Sequence, residues 1–181
     1  MPRIPYLPDA DPENGEFADL IQAIRHKRGG QLLHIDRILM HSQPLIKGWA
    51  AYLGAMRNDI ELDARYRELA ILAVSARNNT AYEWHHHKAP FLNAGGNDHQ
   101  YQALAEPEVA RDNSKQFDPI ERAVITLALE MTDQPQASED TVHAARAALG
   151  SDKQVVELVA LIAAYNMVSR VINTLDIQVE P

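Results

Sequence analysis

No cysteine occurs among the 181 residues of this chain. Disulfide exchange and every mechanism that begins with a thiolate are therefore closed to it. A protein without thiols is indifferent to redox poise, so the absence fits a reducing compartment without requiring one. Long apolar runs are missing too: Met1-Pro2-Arg3 leads into a proline-rich stretch, and neither a secretory h-region nor a membrane-spanning helix is visible. A cytoplasmic protein with no membrane partner is the expectation. There is no P-loop, no dinucleotide glycine fingerprint and no serine elbow, so no cofactor is called for. Basic residues are outnumbered, 17 Lys and Arg against 25 Asp and Glu, and the net charge of −8 disfavours nonspecific binding to nucleic acid. Period-two alternation bounded by hairpin turns is also absent, and no strand is assigned.

What remains is a helical pattern. With 46% apolar and 23% charged residues the composition is that of a soluble globular protein, and a chain of this size buries roughly 70% of its unfolded surface. Pro2, Pro5, Pro8 and Pro12 make residues 1–14 an extended arm, suited to lying across a neighbour. Phe17, Leu20, Ile21 and Ile24 recur at i, i+3, i+4, i+7, which predicts a helix over 15–28 stopped by Gly29-Gly30. Helical patterns follow over 32–41 and 45–56, bent at Pro44, and from the N-cap Asp63 to about Asn78.

The segment 80–94 reads as helix with a kink or early break between His86 and Pro90. A short helix fits 97–104, and 106–116 reads as the longest loop. Asp118-Pro119-Ile120-Glu121 opens a helix to Thr132, Ser138 opens one that Gly150 ends, and Ser151 with Gln154 opens the last, to about Leu175. The first half of this last helix is apolar nearly all round, which places it at a centre or between subunits. Its second half gathers Asn166, Ser169, Arg170 and Asn173. The expected fold is all-α with seven or eight helices, divided into an arm and helix over 1–33 and a helical domain over 34–181.

Acid/base groups concentrate in Thr80-Ala81-Tyr82-Glu83-Trp84-His85-His86-His87, with Glu68 upstream. Each helical step turns the side chain by about 100°, so Glu83 shares a face with His86 and His87 while His85 points away. Glu83 and His87 at i, i+4 form a serviceable proton-transfer pair, because a carboxylate orients an imidazole and favours its charged form. The same spacing also describes a plain surface pair. Glu68 projects beside Ile71, Leu72 and Ser75, toward an apolar interior where a carboxyl holds its proton more tightly, or else pairs with Arg65 or another arginine. Consecutive histidines diverge too far to chelate one ion together, and no metal site is assigned. Tyr82, Trp84, Trp49 and Tyr52 suit core or pocket wall. His34 and His41 read as hydrogen-bonded structural histidines.

Four stretches, His41 to Leu45, Arg67 to Leu72, Tyr82 to His87 and Glu157 to Val168, resemble the carboxymuconolactone decarboxylase and alkyl hydroperoxidase D-like superfamily. The resemblance runs from about His34 to Asp176. It implies an all-α fold assembling as homotrimers or homohexamers with sites near subunit contacts. In the hydroperoxidase branch a glutamate, a Cys-x-x-Cys pair and a histidine act together. That pattern places Glu68 and His87 on the glutamate and histidine, with Thr80 and Glu83 where the cysteines would be. In the decarboxylase branch, which also lacks the cysteines, Glu83 and His87 match a Glu-x-x-x-His.

The reading at this point is an acid/base lyase for a small carboxylated or lactone-like molecule. Glu68, Glu83 and His87 are its catalytic groups, and Thr80, Tyr82, Trp84 and His86 are its substrate-facing ones. A peroxidase-type oxidoreductase is the alternative that missing cysteine disfavours, and a noncatalytic ligand- or metal-binding oligomer is the other.

Overall fold

Capping chemistry sets the helix boundaries in the computed structural model, which describes residues 1–12 and 15–181. Residues 13 and 14, the end of the expected arm, lie outside the described residues. Helices run over α1 Glu16–Lys27, α2 His34–Leu39, α3 Gln43–Asn58, α4 Ala64–Arg77 and α5 Ala81–Asn93. They continue over α6 Asp98–Ala103, α7 Pro107–Ala110, α8 Pro119–Asp133, α9 Glu139–Leu149 and α10 Asp152–Leu175. No strand occurs among the described residues.

Ten helices rather than seven or eight are therefore present among the described residues. α2 and α6, six residues each, fall in the stretches expected to be helical over 32–41 and 97–104, whereas the four-residue α7 lies inside the stretch read as the longest loop. Segments this short show no 3.6-residue periodicity and depend on local caps and tertiary packing. Asn97 accepts the Gln100 N–H at 3.0 Å to open α6, and Pro107 occupies the first turn of α7.

The longer helices begin where expected. Asp63 accepts the Arg65 N–H at 2.8 Å, and Asp118 and Glu121 exchange bonds of 2.8 and 2.9 Å in a capping box. Gly150 ends α9 in the left-handed region, φ 68°. The break expected near Pro90 does not occur, and α5 continues through it to Asn93. Proline removes one N–H, but the turn beyond it closes normally, with Ala94 N–H bonded to Pro90 O at 2.9 Å. The helix ends instead at Gly95, φ 95°, where Gly96 N–H reaches Phe91 O at 3.0 Å and Gly95 N–H reaches Leu92 O at 3.1 Å.

The chain gathers into two compact units, residues 1–59 with 172–181, and residues 60–171. In the first, the arm lies along its own chain. Tyr6 stacks on His34 at 4.1 Å, and the Arg3 N–H reaches Leu175 O at 2.9 Å. His34 Nδ1 is 2.8 Å from Gln178 O and His41 Nε2 is 2.9 Å from Pro5 O, so both histidines are structural, as expected.

In the second unit α4 packs against α5 and α8, and α9 against α8. Every residue of α4 from Leu69 to Ser75 is buried. A helix apolar on all sides belongs at a centre. At its N-terminal end Arg65 holds buried Glu121 at 2.6 Å, so Arg65 is committed there and not to Glu68. By length and hydropathy α10 would suffice to span a bilayer, which the sequence reading did not register, but 56% of its apolar window is buried within the protein. A core helix passes the same test of length and composition.

Phe91 is fully buried, and a Cβ on Gly96 would lie 2.4 Å from its ring. Gly96→Ala is expected to cost about 1–3 kcal/mol as overpacking against a ring with nowhere to go, checked by urea unfolding.

Candidate active site

Two helices and a tight turn place the chemistry. Between α4 and α5 the chain reverses through Asn79, φ 53°, and is pinned by Thr80 N–H to Ser75 O at 2.9 Å and Ser75 Oγ to Thr80 O at 2.9 Å. This buried clasp faces Glu68 of α4 toward His87 of α5. His87 Nδ1 lies 2.6 Å from Glu68 Oε2, a charge-assisted hydrogen bond across 19 residues of sequence. The two groups that the sequence placed on separate helices do meet.

Glu68 is 6% exposed and Glu83 2%. A buried carboxylate is costly unless charge and hydrogen bonds compensate it. Glu68 has two compensating groups, His87 on one oxygen and Arg67 Nε 3.7 Å from the other. Arg67 Nε is itself buried and makes no hydrogen bond. Glu83 accepts a bond from the Ser169 hydroxyl of α10. From the same helix the Tyr165 ring meets His87 edge-on, centroids 5.1 Å apart and planes at 84°. When Glu68 is ionised, Nδ1 of His87 carries the proton of the 2.6 Å bond, and Nε2 is the nitrogen turned away from Glu68.

The remaining candidates surround this centre unequally. His85 is exposed, as helical geometry predicts. Tyr82 and His86 pack ring on ring at 4.4 Å. Trp84 turns to Tyr101 of α6 at 4.5 Å, and its carbonyl accepts the Tyr101 hydroxyl at 3.3 Å. Burial pushes the Tyr101 phenol above its ordinary pKa, so it stays a neutral donor. Thr80 is buried in the clasp. Among the described residues no three His, Asp or Glu side chains gather to hold a metal ion.

Three contributors escaped the sequence reading. Arg67 was seen only as part of a motif, Ser169 only as part of a polar helix face, and Tyr165 not as a neighbour of histidine. The i, i+4 spacing of Tyr165 and Ser169 was the available signal, since it puts both on one side of α10.

A buried carboxylate–imidazole pair flanked by a hydroxyl-bound second carboxylate, on an all-helical scaffold without thiols, is a site equipped to move protons. Residues 43–115, which include Glu68, Glu83 and His87, match the carboxymuconolactone decarboxylase family. The fold is that of an uncharacterized peroxidase-related protein from Silicibacter sp. TM1040, with a TM-score of 0.80 at 18% identity over 96% of this chain and 90% of that one. It is also that of an alkylhydroperoxidase AhpD core, an uncharacterized peroxidase-related protein from Ralstonia eutropha JMP134. There the TM-score is 0.81 at 22% identity, over 99% of this chain and 92% of that one. No protein of curated function matches the sequence. The family match and the two structures together agree with the superfamily that the sequence motifs resemble, and the all-helical AhpD-like fold is shown.

Ser169→Ala takes a hydroxyl donor from a buried carboxylate. It is expected to lower stability by about 1–3 kcal/mol, read from denaturant midpoints with the slope unchanged.

Proposed function

We propose that the chain is an acid/base lyase of the carboxymuconolactone decarboxylase type, acting on a small carboxylated or lactone-like molecule. The observation that carries this reading is the 2.6 Å bond between Glu68 and His87. It supplies an oriented proton carrier where no thiol exists to carry electrons. The family match over residues 43–115 supports the same class.

In a decarboxylation the carbon–carbon bond to the carboxylate breaks, CO2 leaves, and the electron pair remains on the substrate as a carbanion or dienolate. The site has then to stabilise that charge and return a proton to carbon. His87 in its imidazolium form donates from Nε2, and Glu68 holds the opposite nitrogen and stabilises the cation. Arg67 balances the Glu68 charge. Glu83, held by Ser169, orients the reacting molecule, and Tyr82 and Trp84 exclude water. Thr80 and His86 complete the substrate-facing set. Assembly as a homotrimer or homohexamer and a cytoplasmic location belong to the same reading. Val156 and Met167, 67% and 39% exposed on α10, support a subunit contact.

Both similar structures are of uncharacterized peroxidase-related proteins, and a peroxidase reading separates cleanly by experiment. Thioredoxin- or lipoyl-coupled peroxide reduction by pure protein is expected to be absent, and robust turnover would overturn the thiol argument. On a lactone panel, His87→Ala is expected to lower kcat by about 10²–10⁴-fold, with Glu68→Gln and Glu83→Gln also impaired. An established activity that survives all three substitutions sinks the assignment.

A further inference from the structure

One open space lies away from the acid/base cluster. Within the first compact unit, α1 and α3 are separated by a cavity of about 810 Å³, and none of Glu68, Glu83 or His87 lines it. A space of this size is within the range of about 300–1,000 Å³ that small-molecule sites occupy. Its wall is apolar, formed by Leu20 and Ile24 from α1 and by Ile46, Trp49 and Leu53 from α3. A well-packed helix pair would close such a gap, because interiors tolerate few voids larger than a water molecule. Here α3 turns Ala50 and Gly54 toward the gap. A Cβ on Gly54 would meet nothing within 4 Å.

Basic residues outnumber acidic ones around the cavity: Lys27, Arg28, Lys47 and Arg57 border it against Asp36 and the exposed Asp59. Arg28 is engaged with buried Asp36 through two bonds of 3.1 and 3.2 Å, which accounts for that carboxylate. In a chain of net charge −8, a cavity rim with four basic residues against two acidic ones is a local exception, and Lys27 and Lys47 have no ion-pair partner among the described residues. An amphipathic anion satisfies both parts, its chain or ring on Trp49 and Leu53 and its head group on the lysines.

We propose that the cavity between α1 and α3 is a binding site for a small amphipathic carboxylate, an alkyl or aryl acid of medium length. Trp49 in the wall is a built-in reporter, and Trp84, the other of the two tryptophans, is an internal control. The test uses the full chain with labelled tryptophan, the two indole N–H resonances assigned with Trp84→Phe, and decanoate below its micellar concentration as probe. Decanoate is expected to shift the Trp49 resonance saturably and leave Trp84 unmoved.

Decanol should bind at least about tenfold more weakly for want of the ion pair, and Lys47→Glu should weaken decanoate by a similar factor. Gly54→Phe should fill the slot and abolish the shift while circular dichroism reports an unchanged helical fold. An unmoved Trp49 resonance overturns the proposal. So does equal binding of decanol. A shift that follows protein concentration and self-association instead of decanoate also overturns it, because a second copy would then cover the slot.

Discussion

The hydrogen bond from His87 to Glu68 is the constraint from which the rest of the second unit follows. A carboxylate on a helix buried nearly all round is tolerable only if something answers its charge. Here that is an imidazole from the adjoining helix and a guanidinium from its own. The bond fixes how α5 lies against α4. The clasp through Ser75 and Thr80 makes the same demand through the backbone, because a short reversal through a left-handed Asn79 allows little freedom in the angle between the helices. A loop of ordinary length would leave the imidazole free to find water instead.

Much of this was legible, and the reason is local. Asp63, Asp118, Ser138 and Gly150 act within one turn of where they stand, so their capping roles can be read without knowing the fold. The burial of Glu68 was legible too, through its apolar helix-face neighbours. The partner of His87 was not. Spacing along one helix puts Glu83 forward, whereas the 2.6 Å contact comes from Glu68 on another helix. A pattern four residues long cannot report a contact nineteen residues away. Pro90 failed as a break signal for a related reason, since the loss of one N–H is small beside the packing that holds Phe91.

The missing cysteines acquire a structural meaning from this arrangement. The positions that a redox pair would take in the hydroperoxidase pattern are Thr80 and Glu83, and both are buried. Threonine in such a place needs little, but a buried carboxylate cannot simply replace a thiol. It requires a donor, and α10 provides one in the Ser169 hydroxyl. A thiol at position 83 would have no need of the Ser169 hydroxyl, whereas a buried carboxylate does.

The stretch that matches the decarboxylase family helps to separate chemistry from what surrounds it. It contains Glu68, Glu83 and His87 and ends at residue 115, before Tyr165 and Ser169 of α10. It begins at residue 43 and so includes α3 but not α1. Glu68, Glu83 and His87 therefore lie inside the matched stretch. The ring and hydroxyl that brace them lie outside it, as does the α1 wall of the cavity with Lys27. The contacts that hold Glu83 and His87 in place thus come in part from α10, outside the matched residues.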